Sequence, residues 1–311
     1  MTLAQTLSLD DIHVGGTPLW RFNCLEASTD IRIYAKLEWM QFGGSVKARP
    51  AMAILRDAVA SDAWKPGMRM VDATSGNTGI AYAECCRRAG LPLTLFLPAN
   101  ASQERKAKLR RLGVELVLTD AMEGTDGAQQ AAAERASQYP NDYLYLDQYS
   151  NDANWKAHYD STAPEILEQT DGALTHFVAG LGTTGTFTGT GRRLRDSEPA
   201  LGRRVQLVAL QPETSLHGME GWKHLETAHV PSIYDASLPD AILPVSTESA
   251  YAMIQRIYRQ MSLRLSPSGA ANLAGTVAAA ERFGPGTYVT ILADDHTKYS
   301  ALYKRLNIPF S

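Results

Sequence analysis

The chain has 311 residues, with 30 lysines and arginines against 33 aspartates and glutamates and a formal net charge of −3. A make-up of 44% hydrophobic and 20% charged residues belongs to a globular chain able to bury a core, which excludes disorder and collagen-like order. The near-neutral balance offers no basic field for nucleic acid, no apolar run approaches the ~18 residues that span a bilayer, and the opening MTLAQTLSLDDIH leads one to expect no export signal.

In chain order the rhythm is a short apolar run, a loop, then a helical pattern. Strands are expected over Arg32–Glu38, Met68–Ala73, Leu93–Leu97, Val114–Leu118, Tyr143–Leu146, Leu174–Ala179, Val205–Gln211 and Tyr288–Ala293. Met52, Leu55 and Val59 share one helical face at i, i+3, i+7. A helix capped by Ser102 runs to a stop at Gly113 and carries Arg105, Lys106, Lys108, Arg110 and Arg111 on what reads as a solvated face. Cys24 and the adjacent pair Cys85–Cys86 form neither a disulfide framework nor a metal spacing; the pair, on a predicted helix, reads as small buried hydrophobes, and no metal is expected. With these thiols reduced, the chain reads as soluble and cytoplasmic.

Strands alternating with helices predict an α/β protein: two open twisted, mostly parallel sheet domains with helices on both faces. The expected division is a larger domain of residues 1–36 plus 150–311 and a smaller mobile domain of residues 37–149, with the active site in the cleft between. Ligands of such sheets bind beyond the carboxyl ends of strands, which directs attention to three loops.

In the first, Gly43-Gly44-Ser45-Val46-Lys47-Ala48-Arg49-Pro50, Lys47 stands where a helix begins. The helix dipole disfavours a cation there, which suits a nucleophilic amine better than a stabilising one. The second, Thr74-Ser75-Gly76-Asn77-Thr78-Gly79, sets four polar side chains and free amides at a helix start, enough to hold a carboxylate or phosphate. The third, Gly180-Leu181-Gly182-Thr183-Thr184-Gly185-Thr186, spells G-x-G-x-x-G, the dinucleotide fingerprint. Its following strand closes with Gln211-Pro212-Glu213 instead of an acid about 20 residues on, and its threonines suit a phosphate monoester. Pyridoxal 5'-phosphate satisfies all three: its aldehyde needs a lysine, its phosphate an amide cup, and the carboxylate of its amino-acid adduct a hydroxyl-rich loop.

GGSVKARPA, TSGNTGIA, GLGTTGTFTG and SPSGAA, in this order and spacing, resemble the cysteine synthase (O-acetylserine sulfhydrylase) group of fold-type II pyridoxal-phosphate enzymes. The likeness runs from Gly16-Thr17-Pro18-Leu19 to Asp295–Tyr299, and at this length no regulatory or haem-binding extension is expected. It implies that Lys47 is the catalytic residue, joined to the cofactor aldehyde, and that Asn77 contacts the ring hydroxyl oxygen. It implies further that Thr74, Ser75, Gly76, Thr78 and Gln148 bind the substrate carboxylate, and that Gly182, Thr183, Thr184, Gly185 and Thr186 hold the phosphate.

A neutral serine would face the pyridine nitrogen and make the ring a moderate electron sink. Here the pattern departs, because aligning on Gly269 puts Pro267 at the serine's place, so Ser266 or Ser268 takes the role, with Ser266 preferred. Ala48 stands where the family carries an acid, Thr184 where it carries a glycine, and Asp294-Asp295-His296-Thr297-Lys298-Tyr299 replaces its Ser-Gly-Glu-Arg-Tyr region. The segment His217–His224 also departs and is expected to set the choice of second substrate.

The implied reaction is β-replacement on an O-activated serine, foremost O-acetyl-L-serine, with sulfide or a related nucleophile. Cystathionine β-synthase-like and diaminopropionate-synthase-like replacements, a serine or threonine dehydratase, a nucleotide-dependent oxidoreductase and a non-catalytic binding protein are the alternatives. Expected partners are the small-molecule amino acid and sulfur nucleophile and a second copy in a homodimer, with neither nucleic acid nor membrane. No residue speaks for a sulfur-carrier protein or an acetyltransferase.

Overall fold

The computed structural model describes residues 9–74 and 76–310. Ten strands follow in chain order: β1 (Leu19–Arg21), β2 (Ile31–Leu37), β3 (Arg69–Ala73), β4 (Leu93–Pro98), β5 (Glu115–Thr119), β6 (Tyr143–Tyr145), β7 (His176–Gly180), β8 (Gln206–Pro212), β9 (Ala241–Val245) and β10 (Gly286–Leu292). They form a four-stranded sheet, β5-β4-β3-β6, and a six-stranded sheet, β1-β2-β10-β7-β8-β9. Every pairing is parallel except that of β1 with β2. The protein is thus of the expected α/β class.

By contacts the chain divides into two units. The first joins Lys47–Asn154 to the segment ending at Gly15; the second joins Gly16–Val46 to the chain from Trp155 onward. Residues 37–46, expected with the smaller half, pack instead with the larger. Val46 lies in its core, and its N–H donates to the Ala293 carbonyl at 2.8 Å.

In the second unit the pleat sends alternate residues to opposite faces, and both faces are covered. Val178, Val208 and Leu210 join Ala250, Ile254 and Ile257 of the helix Thr247–Met261 and Ala270, Ala271 and Leu273 of the helix Pro267–Phe283. Phe177, Ala179, Leu207 and Ala209 join Ile166, Phe187 and Leu194 on the other side. In the first unit Val71, Ala73 and Phe96 pack on Ala128 and Ala132 of the helix Gly124–Gln138.

The helix Gly185–Leu201 is a poor helix former, with Gly189 and Gly191 inside it. Each glycine costs about 1 kcal/mol relative to alanine, whereas burying Phe187 and Leu194 stabilises by about 1.5–3 kcal/mol apiece. Gly189 is also required sterically, since a Cβ there would lie 1.9 Å from the Trp155 carbonyl oxygen.

Two strands lay outside the sequence expectations. β1 is three residues long, too short for a periodic signal, and β9 carries Pro244. That proline is tolerated because β9 is an edge strand, with β8 its one neighbour. Ser102 caps its helix, accepting from the Arg105 N–H at 3.3 Å. The basic face of that helix is not uniformly solvated: Lys106 is buried and donates to the Ala99 carbonyl at 2.6 Å, while Arg110 and Arg111 are exposed. Burial of Cys85 and Cys86 raises both thiols above their usual range. Among the described residues no helix is long and apolar enough to cross a membrane.

His176, at the start of β7, stacks on its cross-strand partner Tyr288 with centroids 4.0 Å apart. Burial pushes the imidazole down from 6.5 to about 4. A base with a depressed folded pKa contributes stability above its unfolded pKa and loses it as acid protonates the unfolded chain first. The melting temperature of His176→Phe should therefore gain on wild type as pH falls from about 6.5 to about 4. A constant difference across that window in thermal melts contradicts this assignment.

Candidate active site

β3 ends at Ala73 and the helix Asn77–Ala89 begins four residues later. Thr74 is pinned to the neighbouring strand, its N–H donating to the Phe96 carbonyl at 3.0 Å, and its hydroxyl accepts from the Gly76 N–H at 3.2 Å. Ser75 lies outside the described residues. Thr78, the buried second residue of the helix, donates to Gln148 Oε1 at 2.8 Å, and Gln148 Nε2 donates to the Ala73 carbonyl at 3.1 Å. Asn154 holds Gln148 in turn, donating to its carbonyl at 2.6 Å. Thr74, Gly76 and Thr78 of this loop, and Gln148 some 70 residues on, thus make their hydrogen bonds around the positive end of one helix, a setting suited to an anion.

Asn77 is the first residue of this helix and half-buried. Lys47 occupies the corresponding place on another helix of the unit, capping Ala48–Ala60; its carbonyl accepts from the Ala51 N–H at 3.0 Å, and the residue is half-buried. The chain reaches it through Gly43 and Gly44, at φ +72° and +71°, where side chains are disfavoured.

In the second unit β7 runs into the loop 181–184 and the helix Gly185–Leu201. A Cβ on Gly182 would lie 2.1 Å from the Gly221 carbonyl oxygen, and one on Gly180 would overlap the Trp222 indole at 2.0 Å. Glycine here serves close approach, with the segment around Met219–Lys223 backing the loop; Lys223 N–H donates to the Leu181 carbonyl at 2.8 Å. Met219 and Trp222 belong to the core. Asn272 ties the loop's start to β10, accepting from the Gly180 N–H at 2.8 Å and donating to the Ile291 carbonyl at 2.7 Å.

Thr184 caps the helix at φ +69°, a left-handed conformation uncommon for a residue with a Cβ, and its buried hydroxyl has no partner. Thr186 is bonded to His158 Nε2 at 3.2 Å, and His158 Nδ1 to Thr162 at 2.9 Å. His158 begins a π-helical turn, His158–Thr162. A strained cap, an unsatisfied buried hydroxyl and the unpaired first amides of a helix fit a phosphate group.

Ser266 caps the helix Pro267–Phe283, its Oγ accepting from the Gly269 N–H at 3.1 Å. Ser268 Oγ lies 3.2 Å from Ser266 Oγ and donates to Asp294 Oδ1 at 3.3 Å. Asp294, Asp72 and the bond from His158 to Thr186 are features the sequence reading did not connect to the site. Only Asp72 had a local signal: an acid set among the apolar residues Met70, Val71 and Ala73 of its strand. Its carboxyl is wholly buried and accepts from the Ala73 N–H at 2.7 Å and the Gln148 N–H at 3.4 Å. Burial raises it from 3.8 to about 7 against the pull of the Ala73 N–H, and the Asp147 carboxylate adds to the rise. Tyr82, Tyr145 and Tyr149 complete its titratable surroundings.

The family model described as pyridoxal-phosphate dependent enzyme matches residues 11–294. The chain is 43% identical over 293 residues to a cysteine synthase of Aquifex aeolicus (strain VF5), covering 92% of this chain and 88% of that one. It is 36% identical over 288 residues to a cysteine synthase B of Pseudomonas aeruginosa, covering 92% and 93%. Among solved structures, that of an O-ureido-L-serine synthase superposes with a TM-score of 0.85 at 32% identity, covering 95% of this chain and 94% of that one.

The raised carboxyl of Asp72 has a thermodynamic consequence. Its contribution to stability is full below about 4 and is lost as pH rises through about 7, because ionisation is easier in the unfolded chain. Asp72→Asn escapes that loss, so its melting temperature relative to wild type should climb by on the order of 5 °C between those limits. Parallel melting profiles for the two proteins would contradict the assignment.

Proposed function

The chain belongs to the pyridoxal-phosphate-dependent enzymes, and from that premise we propose a β-replacement on an O-activated L-serine, foremost O-acetyl-L-serine, with sulfide or a related nucleophile, giving L-cysteine or another β-substituted alanine. The family match spans residues 180–185, so their glycine spacing belongs to this enzyme family and not to a dinucleotide-binding one. The observation that carries the reading is the placing of Thr74, Gly76, Thr78 and Gln148 around one helix start, a ready site for the carboxylate that all amino-acid substrates share.

In this reading Thr74, Ser75, Gly76, Thr78 and Gln148 bind that carboxylate, and Asn77 contacts the ring hydroxyl oxygen. Residues 182–186 take the phosphate, with the Thr184 hydroxyl gaining the partner it lacks within the protein. Lys47 holds the cofactor through its side-chain nitrogen. Of the two serines we assign Ser266 to the pyridine nitrogen, because it accepts from the Gly269 N–H through a lone pair and keeps its proton to donate, whereas Ser268 directs its proton to Asp294. Pyridoxal phosphate, when bound, supplies an electron sink for the pair left on Cα when its proton departs.

Lys47, released when the substrate amine takes its place, removes the Cα proton as general base. The Cβ–O bond breaks and acetate leaves; sulfide forms the new Cβ–S bond, and Lys47 returns the proton to Cα. Atoms balance as O-acetylserine and hydrosulfide in, cysteine and acetate out. The reading carries with it a homodimer acting on small molecules in the cytoplasm.

Purified protein given O-acetyl-L-serine and sulfide should release cysteine and acetate, and Lys47→Ala should lower turnover by at least about 10²-fold, the usual worth of a positioned base. Full turnover by Lys47→Ala, or a 2-oxo acid and ammonia as the products, would overturn this function.

A further inference from the structure

His158, 1% exposed, opens the π-helical turn His158–Thr162, whose closing bond runs from the Ala163 N–H back to the His158 carbonyl. Such a turn inserts a residue into a helix and often marks a functional position. Both ring nitrogens are engaged. Nδ1 lies 2.9 Å from the Thr162 hydroxyl, and Nε2 lies 3.2 Å from the hydroxyl of Thr186, the second residue of the helix Gly185–Leu201. Gly189, about one turn further along that helix, permits the approach: a Cβ there would lie 2.9 Å from His158 Cβ as well as against the Trp155 carbonyl.

The protons available set the direction of both bonds. A threonine hydroxyl has one proton and two lone pairs, and the bond made by one imidazole nitrogen decides where a neutral ring keeps its proton. Thr162 is fully buried, and His158 Nδ1 is the one partner of its hydroxyl among the described residues. Thr170 and Thr276, by contrast, direct their protons to the carbonyls of Ile166 and Asn272 at 2.8 Å and 2.7 Å. The Thr162 proton therefore goes to Nδ1, the ring proton sits on Nε2, and Nε2 donates to the Thr186 oxygen. The proton of Thr186 is then left for another acceptor. The opposite tautomer would strand the Thr162 proton in the interior and draw the Thr186 proton into the ring, leaving Thr186 only lone pairs to offer a phosphate, whose oxygens are acceptors. A ring protonated on both nitrogens would likewise donate from Nε2.

We infer that His158 is a positioning residue that donates its Nε2–H to Thr186 and so turns the Thr186 hydroxyl proton toward the cofactor's phosphate. The inference rests on the assignment of residues 182–186 to that phosphate in the proposed function. Thr184 complements it, since its buried hydroxyl has no partner within the protein; the helix start thus offers two hydroxyl protons beside its unpaired first amides. In this role His158 gives up no proton; it sets where the proton of Thr186 points.

The test is ¹⁵N NMR of the holoenzyme labelled at its histidine rings, with no substrate present. The signals absent from His158→Phe belong to His158, and its Nε2 should fall in the protonated range. Should His158→Phe fail to fold, Thr186→Val identifies the same ring, because of the 7 histidines His158 is the one that loses its acceptor. An unprotonated Nε2 beside a protonated Nδ1 overturns the inference. Cofactor release is a second readout, which a merely structural role would not couple to Thr186. Thr186→Val should speed loss of pyridoxal phosphate from the holoenzyme by about tenfold, a typical contribution of one hydrogen bond to a charged group. His158→Phe should speed it less, and should add nothing in the Thr186→Val background. Release unchanged by Thr186→Val, or independent effects of the two substitutions, overturns the inference too. A wild-type protein that binds cofactor through Lys47 yet carries an unprotonated Nε2 defeats this inference alone; one that binds no cofactor defeats the proposed function as well.

Discussion

The site hangs on the short stretch where the chain at Ser45 and Val46 pairs with the end of β10. Val46 N–H donates to the Ala293 carbonyl at 2.8 Å, and Ser45 bridges Asp294. This pairing adds a piece of backbone to the carboxyl end of a parallel strand, where open α/β sheets place their ligands. It holds the chain one residue before Lys47 and anchors the carboxylate that takes the Ser268 proton. Lys47 then starts a helix, whose first turn fixes the lysine backbone through the Lys47 carbonyl and the Ala51 N–H. Backbone hydrogen bonds thus flank the lysine in sequence, at Val46 before it and at Ala51 after it.

The loop 180–186 shows the complementary constraint. Gly180 and Gly182 leave no space for side chains because Trp222 and the Gly221 carbonyl occupy it. With the backbone so confined, the strain falls on the next residues, and Thr184 adopts a left-handed conformation that costs on the order of 1–3 kcal/mol. A glycine there would relieve the strain but remove a hydroxyl. Retaining threonine, with that hydroxyl buried and unpaired, makes sense where a phosphate oxygen supplies the missing partner.

Much of this was legible in the sequence because local chemistry announces it. Eight strands showed as apolar runs, and the three loops showed as clusters of glycine and hydroxyl residues following them. Elements whose signal is not local were missed. β1 is defined by its antiparallel partner β2, and β9 contains a proline that only an edge position permits. Lys106 looked like one more cation on a solvated helix, yet its stem is buried and its ammonium is held by a carbonyl seven residues back. Asp72 stood out as an acid among apolar residues, but its bond to Gln148, 76 positions on, and that of Asp294 to Ser268, 26 positions back, lie outside any window of sequence. Nor does spacing show that Ser266 accepts from the Gly269 N–H while Ser268 donates to Asp294.

One measurement bears on the whole account: where the cofactor is attached. Holoenzyme reduced with borohydride, digested and sequenced by mass spectrometry should yield a single phosphopyridoxyl-modified peptide, with the modification on Lys47. The modification on any other lysine, or on none, would contradict the account at its centre.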